Sequence, residues 1–317
     1  MTVITHRFVG VNGLRMHIAE AGTGPLVLLL HGFPECWYSW RHQLPALAAA
    51  GYHVVAPDQR GYCRTGGPDD VTEYSIMHLA GDVTGLMDAL GEERAVVVGH
   101  DWGAAVTWYT AQFRPDRVRG LAALSVPHRP RTSTPPVARM RETIGAGFYM
   151  VYFQRPAEPE AEFERDVPAT FRRFMYAASG DAPGLIPIVP AGGRFLDLCP
   201  EPDPPPGWLT ADDIAAYAAE FAPAGFTGPV NWYRNLDRNW ELTAAWHRAP
   251  VTPPALFIAG ERDLVAANPR AKEVVATMRT FVPNLRDPIW LPDCGHWTQQ
   301  ERPAEVTAAL IQFLESL

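Results

Sequence analysis

Residues 95–103 read Ala-Val-Val-Val-Gly-His-Asp-Trp-Gly. The aliphatic run Ala95–Val98 has the makings of a short buried strand, and Ala104–Phe113 reads as a helix that must end before Pro115. Between them lies Gly-x-Asp-x-Gly. A strand that runs through Gly-x-nucleophile-x-Gly into a helix makes a sharp turn that lifts the middle side chain above the edge of a sheet. Serine is the usual occupant of that tip, and here it is Asp101.

On either side of this turn the chain alternates in the same way. Two short strands flank Asn12-Gly13, a hairpin signal. Leu26–Leu30 is a continuous aliphatic run ending at His31-Gly32, as expected of a strand covered on both faces, and His53–Ala56 is another. Ile76, Leu79, Ala80, Val83, Leu86, Met87 and Leu90 recur near helical spacing and stop at Gly91. Leu121–Val126 resumes as a strand. Strands alternating with helices predict an α/β fold with a mostly parallel sheet.

The rhythm breaks after Pro127. Residues 128–246 carry prolines (Glu-Pro-Asp-Pro-Pro-Pro-Gly at 201–207), arginines, aromatics and helix-like segments, with few strand-like runs. Strands return at Ala255–Ala259 and Ile289–Leu291, and Ala304–Leu314 reads as a closing helix. The expected organisation is a core domain of residues 1–127 and 247–317, interrupted by a helical cap (lid) domain of residues 128–246, with no internal repeat.

Composition narrows the function. The 317 residues are 47% hydrophobic and 20% charged, an ordinary globular balance. Lys and Arg total 27 against 35 acidic residues, a net charge of −8 without a basic stripe, which argues against nucleic acid as a partner. Cys36, Cys63, Cys199 and Cys294 are scattered, with neither metal-ligand spacing nor a disulfide framework. The start lacks a signal-peptide pattern, and no apolar run approaches the ~20 residues that span a membrane. The chain ends Glu-Ser-Leu rather than Ser-Lys-Leu. A cytoplasmic protein without membrane partner is expected. Neither His-Glu-x-x-His nor a phosphate loop occurs, so no cofactor or metal is expected.

A nucleophile at such a turn needs an imidazole base and an acid to orient it, in the chain order nucleophile, acid, histidine. His296 lies in Cys-Gly-His-Trp just after a late strand, and Asp263 ends Gly-Glu-Arg-Asp just after the preceding one. Asp101, Asp263 and His296 therefore have the right order, each in a loop at the carboxyl edge where open α/β sheets gather their chemistry. Asp293 competes with Asp263 for the orienting role but lies only three residues before His296.

The carboxylate selects the reaction. Aspartate, with a reference pKa of ~3.9, is already ionised at neutral pH. Attack on an acyl carbonyl would give an energy-rich anhydride, whereas attack on a saturated carbon gives an ordinary alkyl ester. Water activated by His296 can then hydrolyse that ester, which is covalent catalysis in two steps. The second step builds an oxyanion on the Asp101 carboxyl, which the backbone N–H of Trp102 is positioned to receive. A second donor is expected from His31-Gly32-Phe33-Pro34, with Phe33 the natural candidate. The leaving group divides the remaining possibilities. Halide needs only N–H donors around it, while an epoxide oxygen leaves as a basic alkoxide and needs an acid such as tyrosine.

Six blocks of sequence bear on that choice: residues 31–41 (His-Gly-Phe-Pro-Glu-Cys-Trp-Tyr-Ser-Trp-Arg), 58–62 (Asp-Gln-Arg-Gly-Tyr), 99–104, 152–156 (Tyr-Phe-Gln-Arg-Pro), 228–235 (Gly-Pro-Val-Asn-Trp-Tyr-Arg-Asn) and 294–299 (Cys-Gly-His-Trp-Thr-Gln). Through them the chain resembles the epoxide hydrolases of the α/β-hydrolase family, in particular the soluble, mammalian-type branch. The resemblance spans nearly the full length. It implies the α/β-hydrolase fold and conversion of small apolar epoxides and water to vicinal diols, a detoxifying chemistry. It also implies a lid carrying two ring-opening tyrosines, Tyr149 and Tyr233, and a cis peptide at Phe33–Pro34. Tyr152, one helical step from Tyr149, is the residue most easily mistaken for it. Cys36 and Cys63 depart from the serine and glycine usual in the family, and Cys63 is expected to strain its loop.

The alternative is a haloalkane dehalogenase, which shares the aspartate and the following tryptophan. Those enzymes typically carry asparagine at the position of Phe33 and lack the tyrosine pair. Fluoroacetate dehalogenases carry arginine where this chain has Trp102, and the fold also serves as a hormone receptor without catalysis.

Overall fold

The computed structural model describes residues 3–317. The strands are β1 (Thr5–Val11), β2 (Leu14–Ala21), β3 (Leu26–Leu30), β4 (His53–Pro57), β5 (Ala95–His100), β6 (Val118–Leu124), β7 (Ala255–Gly260) and β8 (Ile289–Leu291). They form one sheet in the order β1-β2-β4-β3-β5-β6-β7-β8. The pairs β1–β2 and β2–β4 are antiparallel, and all pairs from β4–β3 to β7–β8 are parallel. The first hairpin closes through Asn12 (φ 47) and Gly13 (φ 81), the two left-handed positions that a two-residue type I′ turn requires.

Along β3, β5 and β7 every residue is buried, which is why these stretches are continuous aliphatic runs rather than alternating ones. Helices α1 (Gln43–Ala49), α2 (Ile76–Ala89) and α3 (Trp102–Phe113) follow β3, β4 and β5 in the chain. Between β6 and β7 the chain departs into seven helices: α4 (Pro136–Thr143), α5 (Tyr149–Tyr152), α6 (Glu158–Glu164), α7 (Val167–Ala177), α8 (Ala211–Phe221), α9 (Thr227–Arg234) and α10 (Leu236–Leu242). It then returns through α11 (Pro269–Thr277), α12 (Thr298–Glu301) and α13 (Pro303–Leu314). This is the α/β architecture with a helical insert that the sequence predicts.

Some elements differ in extent. β6 begins at Val118 and ends at Leu124, because exposed Arg119 masks its start and Ser125 takes a left-handed conformation (φ 70) that stops it. Helix α3 begins at Trp102, with Asp101 itself as its N-cap residue. Helices α1 and α11 were not legible. The first is seven residues long with Pro45 inside it, and the second buries only Ala271 and Val275.

The insert has its own aromatic core. Phe153, Phe163, Phe171, Phe195, Phe221 and Phe226 are fully buried. Asp166 caps α7 through the Ala169 N–H, and Thr210 and Asp213 form a reciprocal capping box on α8. Several contacts seat the insert on the core. Arg41 pairs with Asp213 at 3.0 Å, Arg64 pairs with Glu220 at 2.5 Å, and the Trp232 indole donates to the Arg60 carbonyl at 2.9 Å. Backbones also meet directly, since a Cβ on Gly228 would lie 2.2 Å from the Gly61 oxygen. Among the described residues no helix is long and apolar enough to cross a membrane.

Candidate active site

The turn after β5 is as sharp as its sequence implies. Asp101 sits at φ 51 and ψ −118, a strained conformation for a residue with a Cβ. The flanking glycines make it possible. A Cβ on Gly103 would lie 2.1 Å from the Leu30 oxygen, and one on Gly99 would lie 2.1 Å from the Gly103 oxygen. A side chain at 103 would push α3 off β3 and one at 99 would push it off β5, and the aspartate would lose its place.

Three loops converge on the Asp101 carboxylate. From the loop after β3, the Phe33 N–H donates to Oδ1 at 2.9 Å, and the peptide that follows, Phe33–Pro34, is cis. From the loop after β8, His296 Nε2 lies 3.6 Å from Oδ2. His296 Nδ1 is 3.1 Å from Asp263 Oδ1, in the loop after β7. Asp263 is buried, its Oδ1 also accepts the Val265 N–H at 2.8 Å, and Oδ2 has no hydrogen-bond partner among the described residues. Asp293 is exposed, and its carbonyl accepts from Arg302 at 2.7 Å, so of the two candidate acids it is Asp263 that meets the imidazole. The Trp102 N–H makes no hydrogen bond to the Asp101 carboxylate, while the Trp102 ring stands edge-on to Tyr233 at 5.2 Å.

The insert closes the site from above. The rings of Tyr149 and Tyr233 lie 6.0 Å apart, and Tyr233 packs edge-on to Phe33 at 5.3 Å. Tyr152 is turned away, its hydroxyl donating to Glu162 at 2.7 Å in the cap interior. Phe153 and Phe174 also pack against Phe33, so the walls around the carboxylate are aromatic and apolar.

Burial and charge act together on protonation. Burial lifts the Tyr149 and Tyr233 hydroxyls far above the ordinary phenol range, and the nearby Asp101 charge adds to it, so both are held neutral as donors. For His296, burial opposes the charged form, but Asp263 and Asp101 outweigh it and raise its pKa well above 6.5. For Asp101, burial pushes upward, but His296, His100 and the Phe33 N–H together hold it below the usual carboxylate value.

One functional group escaped the sequence reading. Glu35 is fully buried and accepts the Gly32 N–H (3.1 Å), His100 Nδ1 (2.6 Å), Gln299 Nε2 (2.9 Å) and Gln300 Nε2 (3.0 Å). His100 Nε2 in turn meets the His296 carbonyl at 2.7 Å. One carboxylate thus pins the oxyanion loop, the strand end before Asp101 and the histidine loop to each other. The signal was present as a lone acid between Phe33-Pro34 and the aromatic run at 37–40, with the pair Gln299-Gln300 following His296. Leaving a buried donor without its acceptor typically costs about 1–3 kcal/mol, and Glu35 serves several. Glu35→Ala is therefore expected to lower unfolding stability by about that amount, read from the urea midpoint at unchanged slope. A loss below about 1 kcal/mol would show that these loops hold together without it.

Comparison with known proteins agrees with this geometry. Residues 25–303 match the family model described as alpha/beta hydrolase fold. Epoxide hydrolase A of Mycobacterium tuberculosis is 46% identical, over 99% of this chain and 98% of that protein. The solved structure of an epoxide hydrolase from an endophytic Streptomyces superposes with a TM-score of 0.93 at 45% identity, covering 98% of this chain and 95% of that one. The pig (Sus scrofa) bifunctional epoxide hydrolase 2 is 39% identical over 99% of this chain and 56% of its own length. The chain belongs to the α/β-hydrolase family and, within it, to the epoxide hydrolases.

Proposed function

We propose that this enzyme adds water to small apolar epoxides to give vicinal diols through a covalent alkyl ester on Asp101. The observation that carries the reading is a carboxylate at the elbow, with one face toward His296 and Asp263 and two neutral tyrosines in the cap above it. Asp101 Oδ2, the oxygen not held by the Phe33 N–H, attacks an epoxide carbon. Tyr149 and Tyr233 hydrogen-bond the oxirane oxygen and protonate it as the ring opens. A water activated by His296 then attacks the ester carbonyl. Its oxyanion forms where the Phe33 N–H already donates, and the Trp102 N–H is the second donor assigned to it. We set the cap at residues 128–246.

The proton balance closes within these residues. Two carboxylates hold His296 charged in the resting site. Esterification removes one of those charges, so the imidazole releases its proton, which restores the tyrosine that protonated the leaving oxygen. His296 is then neutral when water must be activated, and it regains its proton as Asp101 re-ionises. The dehalogenase alternative needs no such acid, and the tyrosine pair weighs against it. Four buried, free thiols support a reducing, cytoplasmic compartment.

An isotope experiment tests the covalent route. With enzyme in excess over a simple aryl epoxide in ¹⁸O-water, the first-turnover diol is expected to carry unlabelled oxygen, and the peptide containing Asp101 to gain the label. Label in the first diol with none in that peptide would establish direct hydration, with Asp101 as a base.

A further inference from the structure

Behind the oxyanion loop lies a second cluster that the hydrolytic chemistry does not use. The Sγ atoms of Cys36 and Cys63 and a carboxylate oxygen of Asp58 all lie within 4.8 Å of one another. All three residues are buried, at 0%, 1% and 0% exposure. They arrive from two loops: Cys36 follows the Gly32–Glu35 turn, and Asp58 and Cys63 flank the turn after β4. We propose that Cys36, Cys63 and Asp58 form a binding site for a thiophilic divalent cation of the zinc and cadmium class.

The donor set and its spacing favour this. Two thiolates select soft metals over magnesium or calcium, and a carboxylate oxygen is an ordinary third ligand for zinc. Two sulfurs on one tetrahedral ion at about 2.3 Å each stand about 3.8 Å apart. The gaps here therefore need to close by no more than about 1 Å. The carboxylate is already oriented, since Asp58 accepts the Trp37 N–H at 3.1 Å and meets His17 Nδ1 at 2.7 Å. Such an outer partner on a ligating group fixes its aim.

Binding one divalent ion exchanges two thiol protons for two metal–sulfur bonds, with no change in oxidation state. The site then carries two thiolates and one carboxylate against two positive charges, leaving a single net negative charge next to His17. Cys199 and Cys294 are different: each lies alone and points its sulfur at a carbonyl oxygen at 3.7 Å.

The test uses the full chain and cadmium ion alone. After equilibration under reducing, chelator-free conditions, the wild type is expected to bind one Cd²⁺ tightly. Binding should bring the ultraviolet sulfur-to-cadmium charge-transfer band and release of two protons. Losing even an outer partner of a metal site costs about 10–100-fold in affinity, so loss of one thiolate should cost at least that. Cys36→Ser and Cys63→Gly are the variants of choice. Cys63 holds a left-handed conformation (φ 48) that glycine adopts without strain, so this replacement relieves the backbone rather than breaking it. Both are expected to fold and to form diol as the wild type does. Absence of the charge-transfer band in the wild type, or an unchanged band and affinity in both variants, would overturn the assignment.

Discussion

His296→Gln is expected to open an epoxide once and then stall. Opening needs the Asp101 carboxylate and the tyrosines, none of which the substitution removes. Hydrolysis of the ester needs a base at the position of Nε2, and glutamine supplies none. General-base assistance contributes about 10²–10⁴-fold, so steady-state turnover should fall by about 10³ while the first alkylation stays within roughly tenfold of the wild type. Intact-mass measurement after mixing should show an adduct with the mass of the epoxide, mapped to the peptide that contains Asp101. Asp263→Asn should behave in the same direction but less severely, because the imidazole remains and loses only its orienting, charge-stabilising partner. Acidification should reproduce the stall. In the alkyl-enzyme the His296 pKa is lower than in the resting site, because the Asp101 charge is gone. Ester hydrolysis should therefore rise with pH through that lowered value, and the adduct should build up below it. Turnover lost without any adduct, in a variant that still binds substrate, would refute the division of labour between Asp101 and His296.

Why the core of this site was legible, and its scaffolding less so, follows from the kind of signal each leaves. The elbow is local. Gly99, Asp101 and Gly103 are fixed by contacts within one strand–turn–helix unit, so spacing alone identifies it. Asp263 and His296 could be found because a parallel sheet brings the loops after β7 and β8 to the same edge as Asp101. The choice of Asp263 over Asp293 rested on chain order, since Asp263 follows the strand before the histidine's own and Asp293 lies only three residues ahead of His296. The tyrosines were a different matter. No periodicity distinguishes Tyr149 from Tyr152, and only the fold of the cap sends one toward Asp101 and the other toward Glu162. The Glu35 hub depends on four partners spread from residue 32 to residue 300, which no window of sequence can join. The Cys36–Asp58–Cys63 cluster was missed for the same reason: its spacing matches no linear metal motif, and two loops must fold before the sulfurs meet.

The tyrosine pair carries the other large effect. An alkoxide leaving from carbon is strongly basic, and between apolar walls its charge must be met by a donor in the transition state. Both hydroxyls are available for this because burial and the Asp101 charge keep them protonated. Either Tyr149→Phe or Tyr233→Phe should therefore slow ring opening by about 10–10²-fold and leave residual turnover, since one donor remains. In the double variant nothing in the cap can donate, and alkylation of Asp101 should fall by about 10⁴-fold or more. Phenylalanine keeps each ring, so the aromatic contacts that Tyr149 and Tyr233 make with Phe153 and Phe33 survive, and the fold should hold. The double variant should lose more than the product of the two single losses, as expected when two donors share one oxygen and either can stand in for the other. The measurement is single-turnover alkylation followed by rapid quench and mass analysis of the Asp101 peptide. Wild-type-like alkylation in the double variant would remove both tyrosines from the mechanism. It would leave protonation of the oxirane oxygen to another group near Asp101, with His296 the first candidate.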